Sequence, residues 1–373
     1  MRNAAYDMVY LLSCVLNDQK PELDRLYETD RNKILKMAKF HSITVLIITA
    51  FEMAGEDLEK SWLLEREKAV RKSLLMEAEY QVIAEKMEQQ GIWYMPMKGN
   101  ILQSLYQRKG MRQMADIDIL FDMKFREQMC DYMQQREYEV KSFGQGNHDV
   151  YLKPPVYNFE LHVDLYGNAH ETAFQGYYRN VKKRLQPVES KQFEFCFTKE
   201  DFYIYFISHM YKHFAGSGTG IRSLADCYLF LKKYKAVLDW NYIGEELPKL
   251  GLEEFEKQSR QLCFKVFENR TALNKEEESV LEEFLFYGTY GTMQHRVERQ
   301  VKQLSIEKGI YGAKINYFLQ RIFPEKEVLE AYCPAAKKYA LLIPYAWGKR
   351  IFQSLKLRRH SIVKEINYIN KVK

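Results

Sequence analysis

Apolar side chains recur at helical spacing from the start of the chain. Leu11, Leu12, Val15 and Leu16 share one face, and Ile34, Leu35, Ala38 and Phe40 continue the pattern. An acidic break at Glu56–Glu59 separates these from a long pattern running from Leu63 to Met87, in which Leu74, Leu75, Ala78, Val82, Ile83 and Met87 alternate with charged positions. Gly91 lies just past the last periodic residue, and a glycine there can take the left-handed backbone that ends a helix.

The texture then changes. Ile92 to Met97 is a short apolar, aromatic run that reads as a strand, with Pro96 near its end or on a sheet edge. Lys98-Gly99-Asn100 reads as a turn, and a helix is expected from Ile101. Asp116 to Phe121 reads as a second strand, followed by Asp122 as the cap of a helix to about Arg136. Glu139–Phe143, His148–Lys153 and Val156–Leu165 read as successive strands, the last two joined by a Pro154-Pro155 turn that fits an antiparallel connection. From Thr198 the pattern is helical again. Thr198 to Asp201 resembles a capping box, and helices are expected over Leu224–Tyr234, Leu252–Asn269, Lys275–Phe286 and the remainder. The predicted class is α+β: a helical region over 1–75, a small mixed sheet with flanking helices over 76–197, and a helical region over 198–373.

Composition changes this picture little. The chain has 373 residues, 46% apolar and 28% charged, which suits a large buried core and argues against disorder. The longest apolar run, Ile43 to Phe51, is too short to cross a bilayer, and Asp7 interrupts the first apolar stretch, so neither a transmembrane segment nor a secretory signal is expected. Six scattered cysteines with no C-x-x-C pair (Cys14, Cys130, Cys196, Cys227, Cys263 and Cys333) suit reduced, mostly buried thiols in a cytoplasm. Charge is uneven. Of the net +6, the last 25 residues carry +7, eight basic residues against Glu365 alone, and the rest sums to −1. No nucleic-acid surface is evident. The basic tail reads either as a contact for acidic lipid, RNA or an acidic partner, or as the solvated face of a last helix, with Ile351, Phe352, Leu355 and Ile362 inward.

Three pieces of the central unit carry chemistry. The strand–turn–helix at Met97 to Asn100 places a glycine where backbone amides can face one anion. In Asp116-Ile117-Asp118-Ile119 the strand period of two puts both acids on one face, about 7 Å apart. Side-by-side carboxylates repel, and a divalent cation such as Mg²⁺, or Mn²⁺, removes that penalty; the bare pair reads equally as two solvated acids. In Phe159 to Asp164, residues Glu160, His162 and Asp164 alternate with apolar neighbours. Glu160 is preferred to Asp164 or Asp149 as a third ligand, because a mid-strand carboxylate between large apolar residues most needs a partner. Three carboxylates around metal would polarise a nucleotide's α-phosphorus and stabilise departing pyrophosphate. Lys98 and Arg112 are the nearest cations in sequence and candidates for phosphate oxygens. His162 reads either as a partner of a metal-bound carboxylate or as a structural histidine. His209 and His213 sit one helical turn apart, but no glutamate lies between them to serve as a base, so a zinc-protease reading fails.

Met97-Lys98-Gly99-Asn100-Ile101-Leu102, then Arg112, then Asp116-Ile117-Asp118-Ile119-Leu120, then Glu160-Leu161-His162 together resemble the uncharacterised nucleotidyltransferase family of the DNA polymerase β superfamily. His209 to His213, Gly220 to Asp226, Gly288 to Thr292 and Arg321 to Pro324 are similar to segments of that family's helical part. The resemblance implies a nucleotidyltransferase-type sheet, an NTP (ATP foremost) bound with Mg²⁺, and transfer of a nucleoside monophosphate to an acceptor. It implies that Gly99 and Asn100 hold triphosphate and that Asp116, Asp118 and Glu160 hold metal, with Lys212, His213, Arg222 and Asp226 on the substrate side. Asn100 departs from the superfamily's usual serine, which keeps the backbone donors but removes a hydroxyl contact to phosphate. The expected function is metal-dependent nucleotidyl transfer to an acceptor hydroxyl, on a small molecule or sugar before a protein. The rivals are a nucleotide-binding regulator without turnover and an enzyme that attaches AMP to proteins.

Overall fold

The computed structural model describes residues 2–26, 30–144, 146–167, 172–288, 293–324 and 339–372. Four helices come first: α1 (Arg2–Leu16), α2 (Arg31–Phe40), α3 (Thr44–Ala54) and α4 (Lys60–Gln89). Asp30 caps α2 by accepting from the Asn32 and Lys33 amides. Helix α4 crosses residue 75, where the sequence pattern suggested the helical region ends. It closes as expected, with Gly91 at φ 66° and the Ile92 amide reaching back to the Met87 carbonyl.

The central unit is a five-stranded sheet built from β1 (Tyr94–Pro96), β2 (Ile117–Phe121), β3 (Glu139–Ser142), β4 (His148–Lys153) and β5 (Tyr157–His162), in the order β1-β2-β5-β4-β3. β2 and β5 run parallel and the other pairs antiparallel, so the sheet is mixed, as expected. Pro96 ends an edge strand, where its missing N–H costs no ladder bond. Two helices punctuate the sheet. α5 (Lys98–Gln103) begins at Lys98, so Lys98-Gly99-Asn100 is its first turn and not a turn ahead of it. α6 (Arg126–Gln135) follows a short 3₁₀ turn that Asp122 caps through the Lys124 amide.

Strand alternation sorts the sheet into two faces. Ile117, Ile119, Phe121, Phe159 and Leu161 pack with Met76, Tyr80, Ile83 and Met87 of α4 and Met129 and Met133 of α6 in one core. The opposite face turns Asp118, Glu160 and His162 toward the helices that come later in the chain. A two-stranded ribbon of β6 (Leu185–Pro187) and β7 (Phe195–Phe197) follows α7 (Thr172–Tyr178) and was not expected from the sequence.

Beyond the ribbon lie α8 (Lys199–Ala215), α9 (Ile221–Tyr234), α10 (Trp240–Glu246), α11 (Glu253–Phe264) and α12 (Lys275–Phe286). Thr198 caps α8 through the Asp201 amide, and Asn274 with Glu277 forms a capping box on α12. These helices share a second, larger core with α1–α3. Ser13 Oγ donates to the Phe267 carbonyl at 2.8 Å, and Tyr228 Oη donates to Asn17 at 2.6 Å. The two helical regions, far apart in sequence, therefore close on each other.

Helices α13 (Met293–Ile322), broken at Gly309, and α14 (Ile343–Lys371) pair through Arg321 and Glu365 at 2.7 Å. Phe352, expected to face inward, is 70% exposed. Among the described residues the cysteines are free thiols, with Cys14, Cys130, Cys227 and Cys263 buried, while Cys333 lies outside those residues. No helix among the described residues is long and apolar enough to cross a membrane.

Candidate active site

The parallel β2–β5 pairing sets Asp118 directly beside Glu160, and strands so paired lie about 4.8 Å apart. The antiparallel β4–β5 pairing sets His148 beside His162. All four therefore project from one face. His162 Nε2 lies 3.1 Å from Asp118 Oδ1 and 3.7 Å from Glu160 Oε2, and His148 Nε2 lies 3.5 Å from Glu160 Oε2. The two imidazoles stack with centroids 4.9 Å apart. Asp116 sits one residue ahead of β2 and lines the same cavity, of about 240 Å³, bounded by α5, α8 and α9. Asp149, on the alternate β4 position, is turned away into a bidentate pair with Arg126 at 2.7 Å. Asp164 lies past the end of β5 and is exposed.

This crowding governs the charges. Burial and then the Asp118 and Glu160 carboxylates push Asp116 up to about 6. Burial would raise Asp118 too, but the His162 hydrogen bond and the charges of His162 and Lys98 hold it below its ordinary value. Burial opposes the charged form of His162, yet its bonds to Asp118 and Glu160 win and lift it to about 9. Lys98 is pushed down to about 8 by burial, against the pull of Asp118. It does not pair with Asp116: its Nζ stands 2.6 Å from His209 Nδ1, and His209 is held well below its usual value by burial and by Lys98.

Arg112 lines the cavity, but Nε and Nη2 clasp Asp226 at 2.9 and 3.0 Å, while Nη1 lies 3.4 Å from the Gly99 carbonyl. Both side chains are at most 5% exposed, and Tyr106 Oη also donates to Asp226 at 2.7 Å. The cation partner of Asp226 is thus supplied from 114 residues earlier in the chain, while Arg222, one helical turn before Asp226, donates to the Gln113 carbonyl. A Cβ at Gly99 would sit 3.2 Å from Met114 Sδ, a tight contact with a flexible side chain, and at an ordinary 3.8 Å from Arg112 Nη1. Asn100 lines a different cavity, of about 440 Å³, together with Pro96, Tyr106 and Lys109. Lys212, His213 and Arg222 all reach the acid-lined cavity, and burial lowers Lys212 against the pull of Asp118 and Glu160.

The donor set fits a cation. Three carboxylates face one cavity, and Asp116 is raised first by burial and then by the neighbouring carboxylates, both of which a divalent ion would offset. Nitrogen atoms of His148 and His162 and an oxygen of Glu160 lie within 4.8 Å of one another, and His162 would have to release its proton to join a metal there. Tyr205 Oη and His162 Nδ1 are buried at this cavity without a hydrogen-bond partner among the described residues.

Sequence reading missed His148, Tyr205 and the contact of His209 with Lys98. For His148 a signal existed. A hairpin centred on Pro155 pairs residues whose numbers are equally distant from it, which sets 148 opposite 162. Tyr205 carries no such mark, since tyrosines on an apolar helix are ordinarily core.

A family model described as an uncharacterised nucleotidyltransferase matches residues 27–268. That range takes in α2 through α11 and every residue of the site named above. Two segments with the same resemblance, Gly288 to Thr292 and Arg321 to Pro324, fall beyond it, and residues 289–292 lie outside the described residues. Neither the curated proteins nor the solved structures gave a match.

Proposed function

From the premise that this chain belongs to the uncharacterised nucleotidyltransferase family, we propose that it transfers a nucleoside monophosphate from an NTP, ATP foremost, to an acceptor hydroxyl. The observation that carries this reading is the convergence of Asp116, Asp118 and Glu160 on one cavity, with Asp118 and Glu160 in register on parallel strands. These three would hold Mg²⁺ or Mn²⁺. A bound divalent cation supplies positive charge to the α-phosphoryl oxygens and acidifies a hydroxyl beside it.

The chain's own residues account for the rest. His162 bridges Asp118 and Glu160 and fixes their orientation. Lys98 and Lys212 bring charge to the same cavity, suited to phosphate oxygens. Arg112 acts one layer back: its fork ties Asp226 on α9 to the Gly99 turn. In the step itself the acceptor oxygen bonds to the α-phosphorus, and the bond from that phosphorus to the bridging oxygen breaks. Pyrophosphate leaves with the electron pair, and the hydroxyl proton passes to a carboxylate of the cluster. The acceptor, a small molecule or sugar in preference to a protein, would enter between the sheet and α8.

The test uses α-³²P-ATP with Mg²⁺ and cell extract. Label on a small product, dependent on metal and abolished in Asp118→Asn, supports the proposal. Label on a protein band would identify a protein-modifying enzyme. Metal-dependent nucleotide binding with no pyrophosphate release over a broad acceptor panel would identify a regulator.

A further inference from the structure

A cavity of about 210 Å³ lies on the N-terminal side of the acid cluster, between the α2–α3 turn, α4 and the segment that leads into β2. It shares Met114 and Ala115 with the acid-lined cavity, so one short stretch of chain separates the two, and Asp116 is the next residue. Its polar lining includes Lys72, Ser42 and Gln113, and none of its lining residues among those described is acidic.

Lys72 is the unusual member. It is half-buried, and its helical neighbours at three and four residues are Lys68, Ala69, Leu75 and Met76. Its own helix therefore offers no carboxylate at the spacing where surface lysines find one. The charge that acts on it comes from across the partition: Asp116 counters the lowering that burial imposes. Gln113 Oε1 accepts from the Thr44 amide at 2.8 Å, which leaves the NH₂ end of that side chain as its donor. Lys72, Gln113 and Ser42, three donor-bearing side chains, thus line one hollow beside the metal-binding candidates, with no acid among its described lining residues.

We propose that this hollow is a phosphate subsite of the same active centre, with Lys72 as its charged donor and Ser42 and Gln113 as neutral donors. This assignment rests on the nucleotidyl-transfer reading. The phosphate belongs either to the tail of the NTP or to a phosphorylated acceptor, and both chemistries suit a lysine paired with neutral donors.

Calorimetric titration separates the two sources. Wild type, Lys72→Met and Lys72→Arg are each titrated with α,β-methylene-ATP and Mg²⁺, and the loaded protein is then titrated with inorganic phosphate. Lys72→Met is expected to weaken one of these ligands about tenfold or more, the loss of one charge-assisted hydrogen bond, and Lys72→Arg to recover much of it. Loss confined to α,β-methylene-ATP, with AMP unaffected, assigns the subsite to the nucleotide tail. Loss confined to inorganic phosphate assigns it to the acceptor. Equal affinity of wild type and Lys72→Met for both ligands, at matching melting temperatures, overturns the proposal, as does failure of the wild type to bind either. Should Lys72→Met unfold, Lys72→Gln serves in its place. Failure of the nucleotidyl-transfer reading shows separately, as absence of label transfer by wild type in the extract assay.

Discussion

The pair between Arg112 and Asp226 joins α9 to the Gly99 turn, and its removal should be felt by the whole molecule. In Asp226→Asn the side chain keeps its shape and loses its charge. Whichever terminal atom becomes the NH₂, it faces an Arg112 N–H, Nε at 2.9 Å or Nη2 at 3.0 Å, as donor against donor, while the Tyr106 hydroxyl at 2.7 Å can turn to accept. Arg112 is 5% exposed, so little bulk water reaches the group that is lost. Breaking a buried pair by removing one partner costs about 3–5 kcal/mol. Since Asn retains one acceptor, the lower end, about 3 kcal/mol, is the expected loss, a factor of roughly 150 in the folded-to-unfolded ratio. The assay is urea unfolding of Asp226→Asn beside a double-mutant cycle over wild type, Arg112→Met, Asp226→Leu and the double variant. Each single change should be strongly destabilising, and the double should recover much of the loss, because two matched apolar groups leave no orphaned charge. Single changes that cost under about 1 kcal/mol and add in the double would refute the reasoning.

Three further outcomes are expected. His41 donates to the Leu285 carbonyl at 2.9 Å while its buried Nδ1 has no partner among the described residues, and burial pushes it down to about 4. The unfolded chain then binds a proton below about 6.5 that the folded chain refuses. This part of the stability is full above that pH and is lost as pH falls toward 4, about 2 kcal/mol by pH 5. Urea midpoints at pH 7.5 and 5 should therefore diverge less in His41→Gln than in wild type; equal slopes would refute it. Asp118→Asn should lower nucleotidyl transfer by about a hundredfold or more, and chelation of metal should abolish it, both read by pyrophosphate release. Thr198→Ala removes the side-chain acceptor of the Asp201 amide at 3.1 Å and should cost about 1 kcal/mol in thermal or urea unfolding, with little change in nucleotide affinity.

Local pattern was enough to define much of this protein. The period of two in β2 and β5 places Asp118 and Glu160 on the polar face and Ile117, Ile119, Phe159 and Leu161 on the apolar one, a consequence of strand geometry alone. Gly91, Thr198 and Asn274 mark helix ends because capping is chemistry between near neighbours. Strand pairing is different, since it joins segments 42 residues apart, and only the parallel register of β2 with β5 sets Asp118 beside Glu160. The partner of a buried charge is likewise a tertiary matter. Asp226 lies four residues from Arg222 on one helix, yet a bidentate fork from Arg112 satisfies a desolvated carboxylate more fully than a neighbour along a helix surface does. Lys98 against His209, and Lys72 across the wall from Asp116, follow the same rule. The chain's own order specified which groups exist and which face they share. Burial, which makes an unsatisfied charge costly, selected which of them meet.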